Sequence, residues 1–175
     1  MITYNNFVGE FLLKKDDESR KAYVKQHIIK DYLPYSLKMS ICNNIVNTAD
    51  YKHIVLDEEH KQDYFSPNTA MRYYLFVLAL IQNYTDIMCV GSETNTSDPE
   101  AVGHDMMEIF DRFEKNGITT IFMECLDKEY RSLETVLKMK VADTIQLESN
   151  LPSYLNTKLD SLRLVAERIE NASNQ

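Results

Sequence analysis

A chain of 175 residues with 44% apolar side chains is long enough to bury one proper core. Four glycines and four prolines are too few for a turn-rich all-β protein, and a net charge of -8 argues against phosphate-backbone binding as the main activity. Three cysteines, Cys42, Cys89 and Cys125, are odd in number and far apart, which predicts free thiols in a reducing compartment.

Tyr4 to Leu13 carries Phe7, Val8, Phe11 and Leu12 at helical spacing and predicts a first helix. No basic–apolar–small signal peptide opens the chain, so an intracellular site is expected. Asp16, Asp17 and Glu18 place negative charge where the dipole of a second helix favours it. Ala22, Tyr23, Ile28 or Ile29, and Tyr32 are the candidates for its inner side. Pro34 ends that helix and begins a third, Pro34 to about Val46, with Leu37, Ile41 and Ile45 as its apolar stripe.

Tyr51 to Phe65 is the least helical stretch. A small β-hairpin and an irregular loop both fit it, because no Asn-Gly or Asp-Gly turn decides the matter. His53, Asp57, Glu58, Glu59 and His60 crowd there, but at no metal-ligand spacing, so a charged tip is the simpler reading.

Pro67 to Val90 follows, with Ser66 as the expected N-cap and Pro67 at the first helical position. Met71, Leu75, Leu78, Ile81 and Thr85 form one stripe, and Tyr73, Phe76 or Val77, Leu80, Tyr84 and Ile87 form a second. A helix apolar nearly all round belongs inside a bundle or a membrane. Its uninterrupted apolar run, Tyr73 to Ile81, is about half of the roughly 20 residues a span requires. The stretch therefore predicts a buried central rod, and no membrane partner is expected.

Gly91 to Ser97 reads as a linker, and Ser97 or Asp98 caps a helix opening at Pro99. Val102, Met106, Ile109 or Phe110, and Phe113 make its inner side, and Asn116-Gly117 closes it. Glu100, His104, Glu108 and Asp111 recur on another face, with Asp105 nearby. Bundle di-iron sites need inward glutamates and E-x-x-H units, which this chain lacks. Glu100, Asp105, Glu108 and Asp111 are better read as an exposed acidic face for a basic protein partner, with no direct nucleic-acid binding. Residues 51–116 hold 12 of the 27 acidic side chains and only 5 of the 19 basic ones.

From Ile118 one long apolar pattern runs through Ile121 or Phe122, Cys125 or Leu126, Tyr130, Leu133, Leu137 and Val141. Asn150, Leu151 and Pro152 predict a break, so residues 1–150 are expected to form a helical bundle domain and 151–175 a separate helix with a polar tail. Leu155, Leu159, Leu162, Ala166 and Ile169 are spaced 4, 3, 4, 3, a heptad seam of about two repeats. Leu164 and Val165 widen it, so this helix packs back on the bundle or on another subunit. Leu155, Leu159, Leu162, Leu164, Val165 and Ile169 are the candidate interface of a homo-oligomer.

The stretch NTAMRYYLFVLALIQNYTDI, Asn68 to Ile87, resembles a segment of small proteins encoded among tailed-phage and prophage structural genes of low-GC bacteria. The Asn-, Lys-, Ile- and Tyr-rich composition suits such a source. The resemblance implies a virion or assembly component, or an accessory protein that acts by binding, and brings no catalytic residue with it. It would place the protein in the host cytoplasm or the virion.

No P-loop, G-x-S-x-G, G-x-G-x-x-G or zinc-ligand spacing is present, and neither a cofactor nor a metal is implied. The sequence thus predicts an all-α helical bundle around a buried central helix, with a possible small β-hairpin before it. The leading functional expectation is a non-enzymatic interaction or assembly protein. An acidic inhibitor of a basic nucleic-acid-binding protein, of the anti-defence type, is the second. A metal-dependent helical-bundle enzyme is the third.

Overall fold

The computed structural model describes residues 1–55, 61–88 and 99–173, with side chains at 1–52, 65–88 and 106–151. Among these the element order is β1 (Ile2–Thr3), α1 (Tyr4–Leu12), α2 (Asp17–His27), α3 (Tyr35–Asp50), β2 (Tyr51–Val55), β3 (Lys61–Phe65), α4 (Thr69–Tyr84), β4 (Ile87–Met88), α5 (Pro99–Lys115), α6 (Ile118–Leu126) and α7 (Lys128–Ser173). The protein is an all-α bundle, with one antiparallel hairpin and one short parallel strand pair among the described residues. It divides into two units, Met1–Leu137 and Lys138–Gln175.

The first unit is built around α4. Val77 and Ile81 enter one apolar cluster with Phe7, Phe11, Phe113 and Phe122. Phe76, Ala79, Leu80 and Tyr84 enter a second with Ile41, Ile45, Leu126 and Leu133. A helix that serves two cores must be apolar over most of its circumference, which is why its sequence shows two stripes instead of one. Phe7 stacks with Tyr23 at 5.1 Å and lies 5.9 Å from Phe122, so the first cluster is largely aromatic.

Asn68, not Ser66, caps α4. Its side chain accepts from the Met71 N–H at 3.0 Å, while its own N–H donates to Asp50 Oδ1 at 2.8 Å. Pro67 therefore stands just outside the helix. Asp50 is fully buried at the end of α3, and its carbonyl accepts from the Ser66 N–H at 2.6 Å. Arg72 Nε approaches the same carboxylate at 3.3 Å. This staple closes the mouth of the β2–β3 hairpin, whose first pair is Tyr51 and Phe65 with rings 5.5 Å apart. Tertiary anchoring replaces the turn signal that the sequence lacks.

Several boundaries differ from the sequence reading. α2 stops at His27, because Ile28 turns extended and bridges Thr85, with the Ile29 N–H donating to Tyr84 O at 2.8 Å. Tyr23 and Val24 carry its burial, whereas Ala22, Ile29 and Tyr32 are exposed. On α3 the buried stripe runs through Lys38, Ile41, Cys42 and Ile45, and Leu37 lies outside it. α4 ends at Tyr84 because the Thr85 hydroxyl donates back to Ile81 O at 2.6 Å and accepts from the Ile87 N–H at 3.2 Å. Ile87 and Met88 then pair with Ile2 and Thr3, a strand pair too short to show periodicity.

Gly117, with φ 68°, closes α5 as its sequence predicts. The long pattern after Ile118 is two helices, not one. Asp127 takes φ 34° and ψ -94°, a strained conformation for a residue with a Cβ, costing about 1–3 kcal/mol. The apolar spacing hides this turn because Leu126 and Leu133 serve the same cluster from either side of it. Conversely, α7 runs unbroken through Asn150, Leu151 and Pro152. A proline removes one rung of the ladder, at roughly 3 kcal/mol, and long helical arms on both sides carry the helix past it.

Leu80 is 2% exposed in the second cluster, while Gln82 two residues on is exposed. Leu80→Asp should abolish the cooperative thermal transition, since an unpaired buried charge costs several kcal/mol of a 5–15 kcal/mol total. Gln82→Asp should stay within about 0.5 kcal/mol of the parent. A Leu80→Asp protein with a parent-like melt by circular dichroism would refute the two-core role of α4.

Candidate functional site

The strongest polar constellation in the first unit lies where α3, α4 and α7 begin or end. Pro34 holds Leu33 extended and opens α3, with the Leu37 and Lys38 N–H groups donating to Pro34 O at 3.0 and 3.1 Å. This sets Lys38 on the inner side, 3% exposed. The Asp127 turn delivers Glu129 in the first turn of α7, where the helix dipole favours a carboxylate. Tyr84 arrives from the last turn of α4, fully buried.

Lys38 Nζ donates to Glu129 Oε1 at 2.9 Å and to Ser132 Oγ at 2.9 Å. Glu129 Oε2 lies 2.9 Å from the same ammonium and accepts from the Tyr84 hydroxyl at 3.0 Å and the Leu33 N–H at 3.2 Å. Above Lys38, the Tyr32 ring centroid stands 5.1 Å from Nζ. Burial alone would raise the Glu129 pKa, but the bonds from Lys38, Leu33 and Tyr84 outweigh it and hold the carboxyl below its ordinary value. Burial, reinforced by the Glu129 carboxylate, pushes the Tyr84 phenol up. Cys42 on the same stripe is pushed up to about 11 by burial, the opposite of an activated thiolate.

These donors and acceptors satisfy one another. Both carboxylate oxygens accept, the ammonium has three oxygens within 2.9 Å, and the phenol donates inward. The chemistry available is that of a clamp joining three helices and the Leu33 backbone, with no group left over to abstract a proton or attack a substrate.

A second polar pair ties α2 to the end of α4. His27 Nδ1 lies 2.9 Å from Asp86 Oδ1, and the Asp86 N–H donates to His27 O at 3.1 Å. The imidazole packs edge-on against Phe7 and Tyr23. Burial opposes ionisation of Asp86, but His27 and the N-terminal ammonium, 3.4 Å from Oδ2, keep its pKa low.

A cleft of ≈ 220 Å³ opens between α3 and α4, lined by Ile41, Ile45, Leu75, Leu78 and Met106, with the amides of Asn44, Gln82 and Asn83 at its edge. Among the described residues its lining includes no ionisable side chain. Among the described residues, no three His, Cys, Asp or Glu side chains gather as a metal site would require. No described helix is long and apolar enough to cross a membrane.

The residues singled out from the sequence are scattered. Glu108 and Asp111 are exposed on α5, and Glu108 pairs with Arg112 at 2.7 Å. Glu100, His104 and Asp105 lie on α5, but their side chains fall outside the described residues. The same holds for His53 on β2 and for Leu155, Leu159, Leu162, Leu164, Val165 and Ile169 on α7. Asp57, Glu58, Glu59, His60, Cys89 and the Gly91–Ser97 stretch lie outside them entirely. The Lys38–Glu129–Tyr84 cluster was not anticipated, because its members are separated by as many as 91 residues. Its signal was available: a lysine and a glutamate each sit in phase with an apolar stripe.

Glu129→Gln should leave the buried Lys38 ammonium unbalanced and destabilise the fold by about 3–5 kcal/mol in urea titrations at neutral pH. Lys38→Met combined with Glu129→Leu should cost less than Glu129→Gln alone. Because the folded-state pKa of Glu129 is depressed, its contribution is present above the ordinary value of 4.5 and is lost as pH falls through the lower folded value. Glu129→Gln should therefore reduce the loss of stability on acidification below that point. An unchanged acid profile together with a neutral-pH cost below 1 kcal/mol would refute the clamp.

Comparison with protein-family models, with curated proteins and with solved structures yields no match for this chain.

Proposed function

We propose that the protein is a non-enzymatic assembly component that self-associates through α7. The observation that carries this reading is the continuity of α7 through Asn150, Leu151 and Pro152. A continuous helix cannot fold back on its own first half, so the hairpin that would have covered the Leu155–Ile169 seam is removed. The second unit is helical over residues 138–173 and has no other element with which to form a core of its own.

Leu147 is 65% exposed and Leu151 45%, one turn apart. In sequence they continue at the same interval to Leu155, then Leu159, Leu162, Ala166 and Ile169. Spaced 4, 4, 4, they drift off the heptad phase and widen the apolar surface beside the seam, which stays at about two repeats. α1 is already committed elsewhere, since Phe7, Val8 and Phe11 are buried in the aromatic cluster. A second copy of α7 offers a matching surface, and closed homo-oligomers are the common solution to such a face.

The resemblance of Asn68 to Ile87 to proteins encoded among phage structural genes supports the assembly role and a place in the host cytoplasm or the virion. The self-satisfied polar cluster supports a protein that acts by binding and not by catalysis.

Light scattering should give the intact 20.4 kDa chain a mass of two or more copies at tens of micromolar. A form ending at Asn150 should be monomeric, with the first unit still folded. A monomeric intact protein, or a truncated form that keeps the larger mass, would defeat the reading.

A further inference from the structure

Self-association through α7 leaves a second surface unaccounted for, where α4 and α5 meet. Met107 is 52% exposed and Tyr73 is 42% exposed. Tyr73 is fixed in place: its ring lies edge-on to Phe110 at 5.8 Å, and its hydroxyl donates to Glu114 Oε1 at 3.1 Å. Tyr74 braces Phe110 from the other side at 5.3 Å. Met107, Phe110, Asp111 and Glu114 are three or four residues apart and share one flank of α5. The exposed part of this flank is therefore a methionine and a tyrosine edge with two carboxylates beside them.

Lys115, exposed and four residues after Asp111, offsets part of the charge on this flank, and Arg112 belongs to the other. Arg112 turns toward α1, pairing with Glu108 at 2.7 Å, donating to Asn5 Oδ1 at 2.8 Å and lying 5.9 Å from the Tyr4 ring centre. It cannot neutralise Asp111 and Glu114 from there. α5 carries Glu100, Asp105, Glu108, Asp111 and Glu114 against Arg112 and Lys115, and the surrounding middle third of the chain is strongly acidic.

We infer that Tyr73, Met107, Phe110, Asp111 and Glu114 form a docking surface for a basic amphipathic helix of a partner protein. Charge complementarity selects the occupant: the carboxylates need cations, and the field repels nucleic acid and anionic membrane. The apolar centre selects a segment that has an apolar face as well as charge. An exposed methionine adapts to varied side chains, and a tyrosine edge accepts the stem of a lysine or arginine. A helix with leucines on one face and lysines on its borders meets both demands.

The test uses the full chain and a fluorescently labelled peptide of leucine and lysine spaced for one helical face, with a scrambled peptide of the same composition. Anisotropy should show binding of the patterned peptide and at least roughly tenfold weaker binding of the scrambled one. Asp111→Lys with Glu114→Lys should weaken binding about tenfold, and Met107→Ser a few-fold, with thermal melts close to the parent's. Asp143→Lys, an exposed reversal in the second unit, should leave affinity unchanged. Amide shifts of the unaltered protein should move at residues 72–74 and 106–115. Equal binding of both peptides, equal weakening by Asp143→Lys, or shifts centred elsewhere would overturn the inference. So would the absence of binding at millimolar peptide.

Discussion

The Glu129 carboxylate is the point on which the first unit depends. Through it α3, α4, α7 and the extended Leu33 backbone meet within hydrogen-bond distance of two oxygen atoms. A single buried carboxylate would be expelled by its desolvation cost. Here the cost is offset by an ammonium, a phenol and a backbone N–H, so the cluster is tolerated only when all its members are in place. Such a cluster specifies geometry more than it adds stability. Apolar side chains can slide past one another, whereas these four groups fit in one arrangement.

That specification is needed because α4 faces two cores. A rod apolar on most sides has little in its own sequence to fix its rotation. Tyr84 bonded to Glu129 at one end, and Asn68 held by Asp50 at the other, set that rotation by hydrogen bonds. The fully buried Asp50 and Lys38 are thus not defects in an apolar interior but the register marks of the helices that carry them.

The same logic explains what could be read from the chain alone. The central rod, the all-α class, Phe7, Val8 and Phe11 of the α1 stripe (Leu12 is exposed), the start of α5 at Pro99 and its stop at Gly117 follow from local rules: periodicity, capping and glycine at positive φ. The hairpin could be read only as one of two options, because Asp50 and Ser66 decide it from outside the turn. An apolar stripe takes in Leu37 and passes over Lys38 when apolarity is the measure of burial. A lysine with a half-buried carboxylate partner 91 residues away inverts that rule. The Asp127 turn and the passage through Pro152 failed in opposite directions for one reason. Hydrophobic period records which side of a helix is covered, not whether its backbone is continuous.

Polar groups in the first unit therefore fall into two populations with different consequences. Those of the Lys38–Glu129–Tyr84 cluster are matched to one another and hold helices in phase. Those outside on α5 are matched only in part: an acidic flank around Met107 and Tyr73, with Lys115 offsetting some of its charge and its nearest arginine turned toward α1. Apolar surface held beside net charge lowers solubility less than apolar surface alone, since the charge keeps copies apart. It also rejects partners that offer only grease or only positive charge. A long helix that pairs like with like and an acidic flank that repels like are then compatible on one chain. The first sets how copies assemble, and the second keeps the remaining surface of each copy open to something unlike itself.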